Sequence, residues 1–330
     1  MESYNPPFQI TNQMLLLISS ISEKVGEINH YKSLESKPYL RRNNRIRSIH
    51  SSLRIEANSL SFEEVKDVID GKLVLGLQKE IQEVKNAYDS YNKLTEVNPY
   101  CIDDLKFIHG IMTRMLVIES GEFRKGDVGV FNEDKCIFMA PPAHSVNNLM
   151  SNLFSWMKQN NDSIHPLILS AVFHYEFVFI HPFSDGNGRM ARLWHTVILA
   201  KWKPIFSYIP IESQIEKFQD GYYKAIADCH VLGDSNLFIE FILKQIDIIL
   251  DDTIRQVKSS HVEISEYVKR LLNIMEYHTP YTANSLMNKL NLKSKETFRK
   301  NYINPAMDMG LIAMTIPDKP QSRNQRYIKK

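Results

Sequence analysis

Apolar residues recur every three or four positions along most of this chain, which is the spacing of a single buried helical face. The first such run follows Thr11, a residue type that commonly caps a helix, and continues to Ile28. Further helices are predicted over residues 77–94, 103–116, 146–158, 167–180 and 193–200. The pattern therefore predicts a mainly α-helical fold.

Residues 119–146 interrupt this pattern. Glycines and prolines cluster there, and β-forming residues lie on both sides of a polar turn at 132–135. We predict a β-hairpin, with strands around Val128–Val130 and Ile137–Phe138, within the helical domain. A hairpin that only covers the core is the alternative to one that contacts a partner.

Residues 261–330 form a third pattern. Helices predicted over 268–277, 282–290 and 294–309 precede two extended stretches at 314–316 and 325–328. A helix, a helix-turn-helix and a β-wing is the order of a small winged-helix domain. We predict three parts: an N-terminal helical region over 1–98, a core over 99–252 and this C-terminal domain over 261–330.

Composition excludes several classes of protein. The 330 residues are 43% hydrophobic and carry a net charge of +2, which predicts no general attraction to nucleic acid or to a membrane surface. No apolar run approaches the roughly 20 residues that span a bilayer. Three widely spaced cysteines and an N-terminus without a secretory signal indicate a cytoplasmic location, without disulfides or a zinc site.

The most informative stretch runs from His181 to Arg192 and reads His-Pro-Phe-Ser-Asp-Gly-Asn-Gly-Arg-Met-Ala-Arg. Glycines on both sides of Asn187 let backbone N–H groups converge, and a helix that starts there adds partial positive charge. Arg189 and Arg192 share one face of that helix. These features favour a polyphosphate with a divalent cation: the arginines would bind phosphates, Asp185 the cation, and His181 a proton.

This stretch resembles the signature of the Fic family, His-Pro-Phe-x-(Asp/Glu)-Gly-Asn-Gly-Arg-x-x-Arg, and fills every fixed position. The resemblance implies a Fic helical bundle that transfers the AMP part of ATP to a Ser, Thr or Tyr hydroxyl of a protein. It implies that His181 is the general base and that Asp185 holds Mg²⁺. It also implies ATP-binding residues, with Gly186, Asn187 and Gly188 at the α- and β-phosphates and Arg189 and Arg192 at the β- and γ-phosphates.

Residues 51–60 resemble the family's inhibitory motif, (Ser/Thr)-x-x-x-Glu-(Gly/Asn). Ser52 and Glu56 lie four residues apart and share a helical face. Ala57 departs from the motif, because it stands where Gly or Asn is expected. The resemblance implies that Glu56 pairs with Arg192 and displaces the γ-phosphate, so that the chain inhibits itself. The alternative is that Glu56 is an ordinary surface glutamate.

The resemblance also suggests binding surfaces. The hairpin segment, residues 121–140, matches the place of the family's flap, which implies that a target protein segment pairs with its edge strand. The aromatic residues Tyr222, Tyr223 and Phe238 would lie near the adenine, with core packing as the alternative.

The C-terminal part has a charge of its own. Residues 261–330 contain 12 Lys or Arg against 6 Asp or Glu, a net charge of +6. A basic winged helix contacts DNA or a protein, and the few basic side chains on its recognition helix, the one predicted over 294–309, favour a protein. Both a monomer and a homodimer are compatible with the sequence.

The leading hypothesis is a self-inhibited protein adenylyltransferase that depends on ATP and Mg²⁺, modifies a target protein or itself, and releases pyrophosphate. Two alternatives remain open. One is a de-AMPylating enzyme on the same fold, in which Glu56 orients a water molecule. The other is a DNA-binding regulator whose Fic domain senses a nucleotide.

Overall fold

A computed structural model of the chain describes residues 4–30, 38–132, 135–259, 265–276, 279–320 and 322–329. The chain divides into two compact units, Met1–Ile254 and Arg255–Lys330. The centre of the predicted hairpin turn, residues 133–134, lies outside the described residues, as do 261–264 and Tyr277 at the edges of predicted C-terminal elements.

The first unit is mainly helical, as predicted. Its described helices are α1 (Asn12–His30), α2 (Pro38–Ile55), α3 (Phe62–Ile69), α4 (Gln78–Asn92), α5 (Ile102–Met112), α6 (Val146–Asn160), α7 (Pro166–Ile180), α8 (Asn187–Trp202), α9 (Ile211–Lys217), α10 (Gln219–Leu232) and α11 (Asn236–Ser259). Short 3₁₀ helices cover Ala143–Ser145 and Pro204–Tyr208. No helix of the described residues is both long enough and apolar enough to cross a membrane.

Local sequence signals place several helix starts. The Thr11 hydroxyl accepts a hydrogen bond from the N–H of Met14 at 3.1 Å, which confirms the predicted cap of α1. Ser61 and Glu64 form a capping box at the start of α3. Each cap satisfies backbone donors that have no acceptor inside the helix.

The core of the first unit is the pair α7 and α8, which pack along each other. Their apolar side chains, such as Phe173, Phe177 and Trp194, are fully buried. Because both helices are buried over nearly their whole length, the loop that joins them, residues 181–186, has rigid supports at both ends.

The predicted hairpin is confirmed. Strands β1 (Gly129–Asn132) and β2 (Lys135–Met139) are antiparallel, with Gly129 opposite Met139. The register shifts at Val130/Phe131, which indicates a bulge.

The second unit combines short helices with a small sheet. Its helices are α12 (Glu266–Asn273), α13 (Ala283–Lys289), α14 (Lys295–Phe298) and α15 (Asn304–Asp308). Strands β3 (Tyr281–Thr282), β4 (Ile312–Met314) and β5 (Arg326–Lys329) form an antiparallel sheet in the order β3-β5-β4. Leu271, Leu286, Phe298 and Tyr302 are among the buried residues of its core.

Two predicted helices differ from the structure. The helix predicted over 103–116 ends at Met112, and Met115 has a φ of +63°, which a continuing helix does not allow. The helix predicted over 294–309 is divided into α14 and α15 by a π-helical segment, Arg299–Ile303. Pro305 lies just after this segment, and its missing N–H removes a bond that a regular helix would make.

Candidate active site

The loop between α7 and α8 is bracketed by two left-handed residues. His181 ends α7 with a φ of +52°, and Gly186 precedes α8 with a φ of +82°. The Asn187 side chain closes the loop, because its Oδ1 accepts from the N–H of Phe183 at 2.9 Å and its Nδ2 donates to the Phe183 carbonyl at 2.8 Å. The Asn187 carboxamide therefore shapes the loop, and its N–H at the helix start is the group that can face a phosphate.

His181 is held with one ring nitrogen available. Its Nδ1 lies 3.3 Å from the Val178 carbonyl, which can only accept, so Nδ1 carries the proton and Nε2 is left as an acceptor. Burial lowers the pKa of His181 below its ordinary value, and the Arg124 cation acts in the same direction. The Val178 carbonyl and the Glu56 and Asp185 carboxylates oppose this shift only in part. The ring is therefore neutral near pH 7.

A second histidine, which was not predicted from the sequence, supports the loop. His109 Nδ1 accepts from the N–H of Gly121 at 3.0 Å, so its Nε2 donates to the Asp185 carbonyl at 3.0 Å. Its ring stacks on Phe183, with centroids 3.6 Å apart. Burial lowers the pKa of His109 to about 4, so the ring is neutral, as these bonds require. A polar residue on the buried face of α5 was the signal in the sequence.

Arg192 is paired with the residues of the predicted inhibitory motif. Its Nη2 donates to Glu56 Oε1 at 2.7 Å and to the Ser52 carbonyl at 2.9 Å, and its Nε donates to Ser52 Oγ at 3.0 Å. The Arg192 side chain is 1% exposed, whereas that of Glu56 is 39% exposed. Burial alone would lower the pKa of Arg192, but the facing Glu56 carboxylate raises it above the ordinary value. The buried cation is thus paired with Glu56 and Ser52 through Nε and Nη2.

The Glu56 carboxylate lies against the first turn of α8. A side-chain carbon added at Gly188 would overlap Glu56 Oε1 and would lie 3.1 Å from Arg192 Nη1. The first N–H groups of a helix have no acceptor within it and carry partial positive charge. Glu56 therefore occupies the place where an anionic ligand of this helix start would bind.

Arg189 lies one helical turn before Arg192, at the start of α8. It is 4% exposed, and its Nη2 donates to Asp185 Oδ1 at 3.1 Å. Glu83, on α4, approaches its Nη1 at 3.7 Å. Among the described residues, Nε and Nη1 of Arg189 make no hydrogen bond. A buried guanidinium with unused donors is suited to a phosphate.

The residues after Glu56 are fastened to α4. The N–H and Oγ of Ser59 donate to the two carboxylate oxygens of Glu80, at 2.7 and 2.9 Å. Asn58 Nδ2 donates to Glu83 Oε2 at 2.8 Å. Glu80 and Glu83 were not predicted as site residues, because in the sequence they look like surface positions of an amphipathic helix.

The three aromatic residues predicted near the adenine differ in exposure. Tyr223 is 49% exposed, whereas Tyr222 is 2% exposed and Phe238 is fully buried. The Tyr222 hydroxyl bonds to Nε2 of the buried His174 at 2.9 Å, and its ring lies against Phe238. Tyr223 is therefore the one of the three whose ring is available to a ligand in this arrangement.

The donor set for a cation is small. Asp185 is half exposed, and its Oδ1 accepts from Arg189 and from the N–H of Gly186. Within the described part of the chain, no three His, Cys, Asp or Glu side chains cluster as a metal site. A lone, accessible carboxylate beside unused arginine donors fits Mg²⁺ that is held mainly by substrate phosphates and water.

Two family models match this chain. The Fic/DOC family model matches residues 99–199, which include α5, the hairpin and the loop at 181–186. The model of the C-terminal domain of "Filamentation induced by cAMP protein Fic-like" matches residues 266–328.

Solved structures are similar over most of the chain. A crystal structure of a Fic family protein from Desulfovibrio desulfuricans G20 is 42% identical, with a TM-score of 0.74, over 99% of this chain and 98% of that one. A Fic-domain-containing signaling protein from Bacteroides thetaiotaomicron VPI-5482 covers 75% of this chain and 97% of its own. At 19% identity and a TM-score of 0.61, it shares the fold.

Curated relatives carry an enzyme name. The protein adenylyltransferase Fic of Aedes aegypti is 30% identical over 207 residues, which are 60% of this chain and 39% of that protein. That of Nematostella vectensis is 28% identical over 213 residues, 59% of this chain and 45% of its own. The chain thus spans less than half the length of these two relatives.

Proposed function

This chain belongs to the Fic family, and from that premise we propose that it is a protein adenylyltransferase that inhibits itself. The observation that carries the proposal is the loop at 181–186. It places the accepting Nε2 of His181 beside a helix start whose arginines, Arg189 and Arg192, are suited to phosphates. The donor would be ATP, and the acceptor a hydroxyl of a target protein or of the chain itself.

The binding step uses the start of α8. The N–H groups at Asn187 and Gly188 face the α- and β-phosphates, and the guanidinium of Arg189 donates to the phosphates beyond. Asp185 would hold Mg²⁺, which neutralises phosphate charge when it is bound. Tyr223 offers an exposed ring to the adenine.

The transfer step follows from the position of His181. The target oxygen attacks the α-phosphorus, and its proton moves to Nε2 of His181. The bond between the α-phosphorus and the oxygen that bridges to the β-phosphate breaks, and pyrophosphate leaves. The product is an AMP ester of the target hydroxyl.

Self-inhibition follows from the pairing of Arg192. Glu56 pairs with the Arg192 guanidinium and lies over Gly188. The γ-phosphate therefore lacks both the arginine that would bind it and the space beside the helix start. ATP that binds in spite of this is not aligned for in-line attack, which requires close positioning of the reacting atoms. Removal of the Glu56 carboxylate frees both.

The hairpin would present the target. Among the described residues, β1 and β2 pair with each other alone, so a target segment can add to an edge of the two-stranded sheet. Backbone pairing places a hydroxyl without requiring a particular target sequence.

A histidine substitution tests the chemistry. In a Glu56→Gly background, His181→Ala should abolish transfer of label from ATP labelled on the α-phosphate, while ATP affinity stays near that of the parent. His165→Ala is a matched control, because His165 lies at the opposite end of α7, about 24 Å away along the helix. Full transfer by the His181→Ala variant would refute the assignment.

A second candidate activity uses the same site in the other direction. Glu56 is 39% exposed and close enough to His181 to affect its pKa, so its carboxylate can orient a water molecule toward an AMP ester. Incubation of an AMP-modified protein with the wild type and with Glu56→Gly separates the activities. Release of AMP by the wild type alone would favour removal over transfer.

A further inference from the structure

Arg124 is a fully buried arginine that bonds to main-chain carbonyls. It lies between α5 and β1, and its Nε donates to the His181 carbonyl at 2.7 Å. Its Nη1 donates to the Gly126 carbonyl at 2.9 Å. Its Nη2 donates to the carbonyls of Pro141 and, at 3.4 Å, Ile180. All of the guanidinium nitrogens are therefore engaged.

These carbonyls belong to two different parts of the molecule. Gly126 precedes β1 and Pro141 follows β2, so together they mark the two ends of the hairpin. Ile180 and His181 end α7. One side chain thus joins both ends of the hairpin to the peptide that carries the predicted general base.

The main chain of the same segment strengthens this connection. The N–H of Arg124 donates to the Pro182 carbonyl at 2.9 Å. The neighbouring Phe123 ring packs against Phe183, with centroids 5.3 Å apart. The loop at 181–186 and the foot of the hairpin are therefore held in register by several independent contacts.

The electrostatic setting of Arg124 is unusual for a buried cation. Among the described residues its ion-pair partner is Asp127, at 4.0 Å from Nη1, and that carboxylate is 70% exposed and accepts instead from the N–H of Ala143. The positive charge is balanced mainly by carbonyl dipoles, including those at the C-terminal end of α7, where a cation is favoured. This arrangement fixes backbone positions rather than forming a salt bridge.

The backbone at His181 has a particular need for such a partner. A φ of +52° is disfavoured for a residue with a side chain and persists where its surroundings hold it. Arg124 bonds to the carbonyl of this residue and to that of the residue before it. The ring position of His181 therefore depends on the hydrogen bonds that the Arg124 guanidinium donates to these two carbonyls.

We propose that Arg124 is a positioning residue for the transfer reaction. It fixes the base of the target-docking hairpin to the main chain of His181, so that a hydroxyl on a docked segment arrives within reach of the imidazole. The proposal rests on the proposed function, because it assigns the hairpin to target docking and His181 to proton transfer.

The shape of the side chain explains why an arginine is needed. The planar guanidinium directs donors along several fixed directions and can span carbonyls on both sides of the junction. A lysine keeps the charge but offers one nitrogen, which cannot reach all of them. Charge alone is therefore not sufficient for the role.

The test uses three variants of the full chain in the Glu56→Gly background: Arg124→Met, Arg124→Lys and Arg114→Met. Arg114 is the matched control, because it lies in the same connecting segment, is half exposed and pairs with Asp89 at the surface. The measurements are hydrogen exchange by mass spectrometry, ATP affinity by calorimetry with Mg²⁺, and kcat and KM for label transfer.

We expect Arg124→Met to speed exchange in the hairpin, residues 126–141, and in the loop, residues 181–186, together. We expect kcat to fall by about 100-fold, the effect of a misplacement of roughly 1 Å, while ATP affinity stays that of the parent. Arg124→Lys should be intermediate and Arg114→Met unchanged. If Arg124→Met does not fold, the lysine variant provides the same measurements.

Two results would overturn the proposal. One is a hydrogen-exchange rate in either segment that equals that of the Glu56→Gly parent, together with a kcat that equals the parent's. The other is a loss of ATP affinity as large as the loss of kcat, since that indicates general misfolding. If the Glu56→Gly parent itself transfers no label, the proposed function fails, whereas the exchange measurement still decides whether Arg124 couples the two segments.

Discussion

Ala57 lies two residues after the end of α2, in the segment that follows Glu56, and it has a φ of +64°. Its N–H bonds to the Arg54 carbonyl at 3.0 Å, and the N–H of Asn58 bonds to the Leu53 carbonyl at 3.1 Å. These two bonds define a Schellman turn, in which Gly or Asn is favoured at the left-handed position. The Gly or Asn expected there from the family resemblance thus has a physical reason, and Ala57 occupies the position at an energetic cost.

We predict that Ala57→Gly stabilises the protein by about 0.5–1 kcal/mol. The left-handed conformation costs an alanine about 1–2 kcal/mol, and the greater freedom of glycine in the unfolded chain offsets about 0.4–1 kcal/mol of that gain. Urea unfolding followed by circular dichroism measures the change. Gly71→Ala is the reverse control, since Gly71 has a φ of +75° and nothing within 4 Å of an added carbon, and it should destabilise. Equal stability of Ala57→Gly and wild type would contradict this account.

The pKa of His181 determines how kcat for transfer should depend on pH. Its pKa in the folded chain lies below the ordinary value of about 6.5, and the base must be neutral to accept a proton. In the Glu56→Gly variant, kcat should stay level as pH falls toward about 6.5, and should decline only below it. The Glu56 carboxylate raises the pKa of His181, so its removal lowers that pKa and moves the decline to still lower pH. A decline that begins above pH 7 would show that the base is not a histidine in this environment.

At the scale of elements, α4 holds in place the segment that follows Glu56. Glu80 binds both the N–H and the hydroxyl of Ser59, only three residues after Glu56. Glu80 is buried, so its carboxylate depends on these donors as much as they depend on it.

We predict that Glu80→Ala partly relieves inhibition without any change at the pairing residues. Transfer by this variant should exceed that of wild type by about tenfold, the factor for about 1.4 kcal/mol lost from the inhibited arrangement, and should stay below that of Glu56→Gly. Glu63→Ala is the control, because Glu63 is an exposed residue of α3 whose ion-pair partner is Lys66, on the surface of the same helix. Transfer by Glu80→Ala at the wild-type level would show that α4 does not fix Glu56.

The elements themselves follow well from local sequence. Periodicity and caps predict α1, α4, α6 and α7 nearly to their ends, because the signals lie within each helix. The split between α14 and α15 was not predicted, since Pro305 near the middle of an apolar pattern permits either a kink or a π-helical segment.

At the scale of the whole molecule, the site is assembled from contacts between distant residues. Arg192 and Glu56 are 136 residues apart, and the sequence indicated their pairing only through the family resemblance. His109 and Arg124 reach the loop at 181–186 from 76 and 57 residues away. The only local signal is the polar His109 on the buried face of α5, and it does not indicate which loop the side chain supports. Periodicity reports which face of a helix is buried, but it does not report which loop that face supports.

The C-terminal unit has the predicted helices followed by two strands, with two differences: the additional strand β3 before α13 and the π-helical interruption. Four basic side chains are exposed around α14: Lys293, Lys295, Arg299 and Lys300. From the sequence, this part of the chain was compatible with binding either DNA or a protein. A surface pocket of about 160 Å³ beside this region has Arg299 and Arg323 in its lining and no carboxylate. These side chains mark the basic face that such a partner would meet, and the choice between the two partners stays a prediction.

The central claim is that the Glu56–Arg192 pair holds a competent adenylyltransferase in an inactive state. The most direct test incubates wild type and Glu56→Gly with Mg²⁺ and ATP labelled on the α-phosphate, and measures label that becomes bound to protein. The account predicts strong labelling by Glu56→Gly and little by wild type. Equal labelling by both would contradict self-inhibition, and no labelling by either, with ATP binding shown separately, would contradict adenylyl transfer itself.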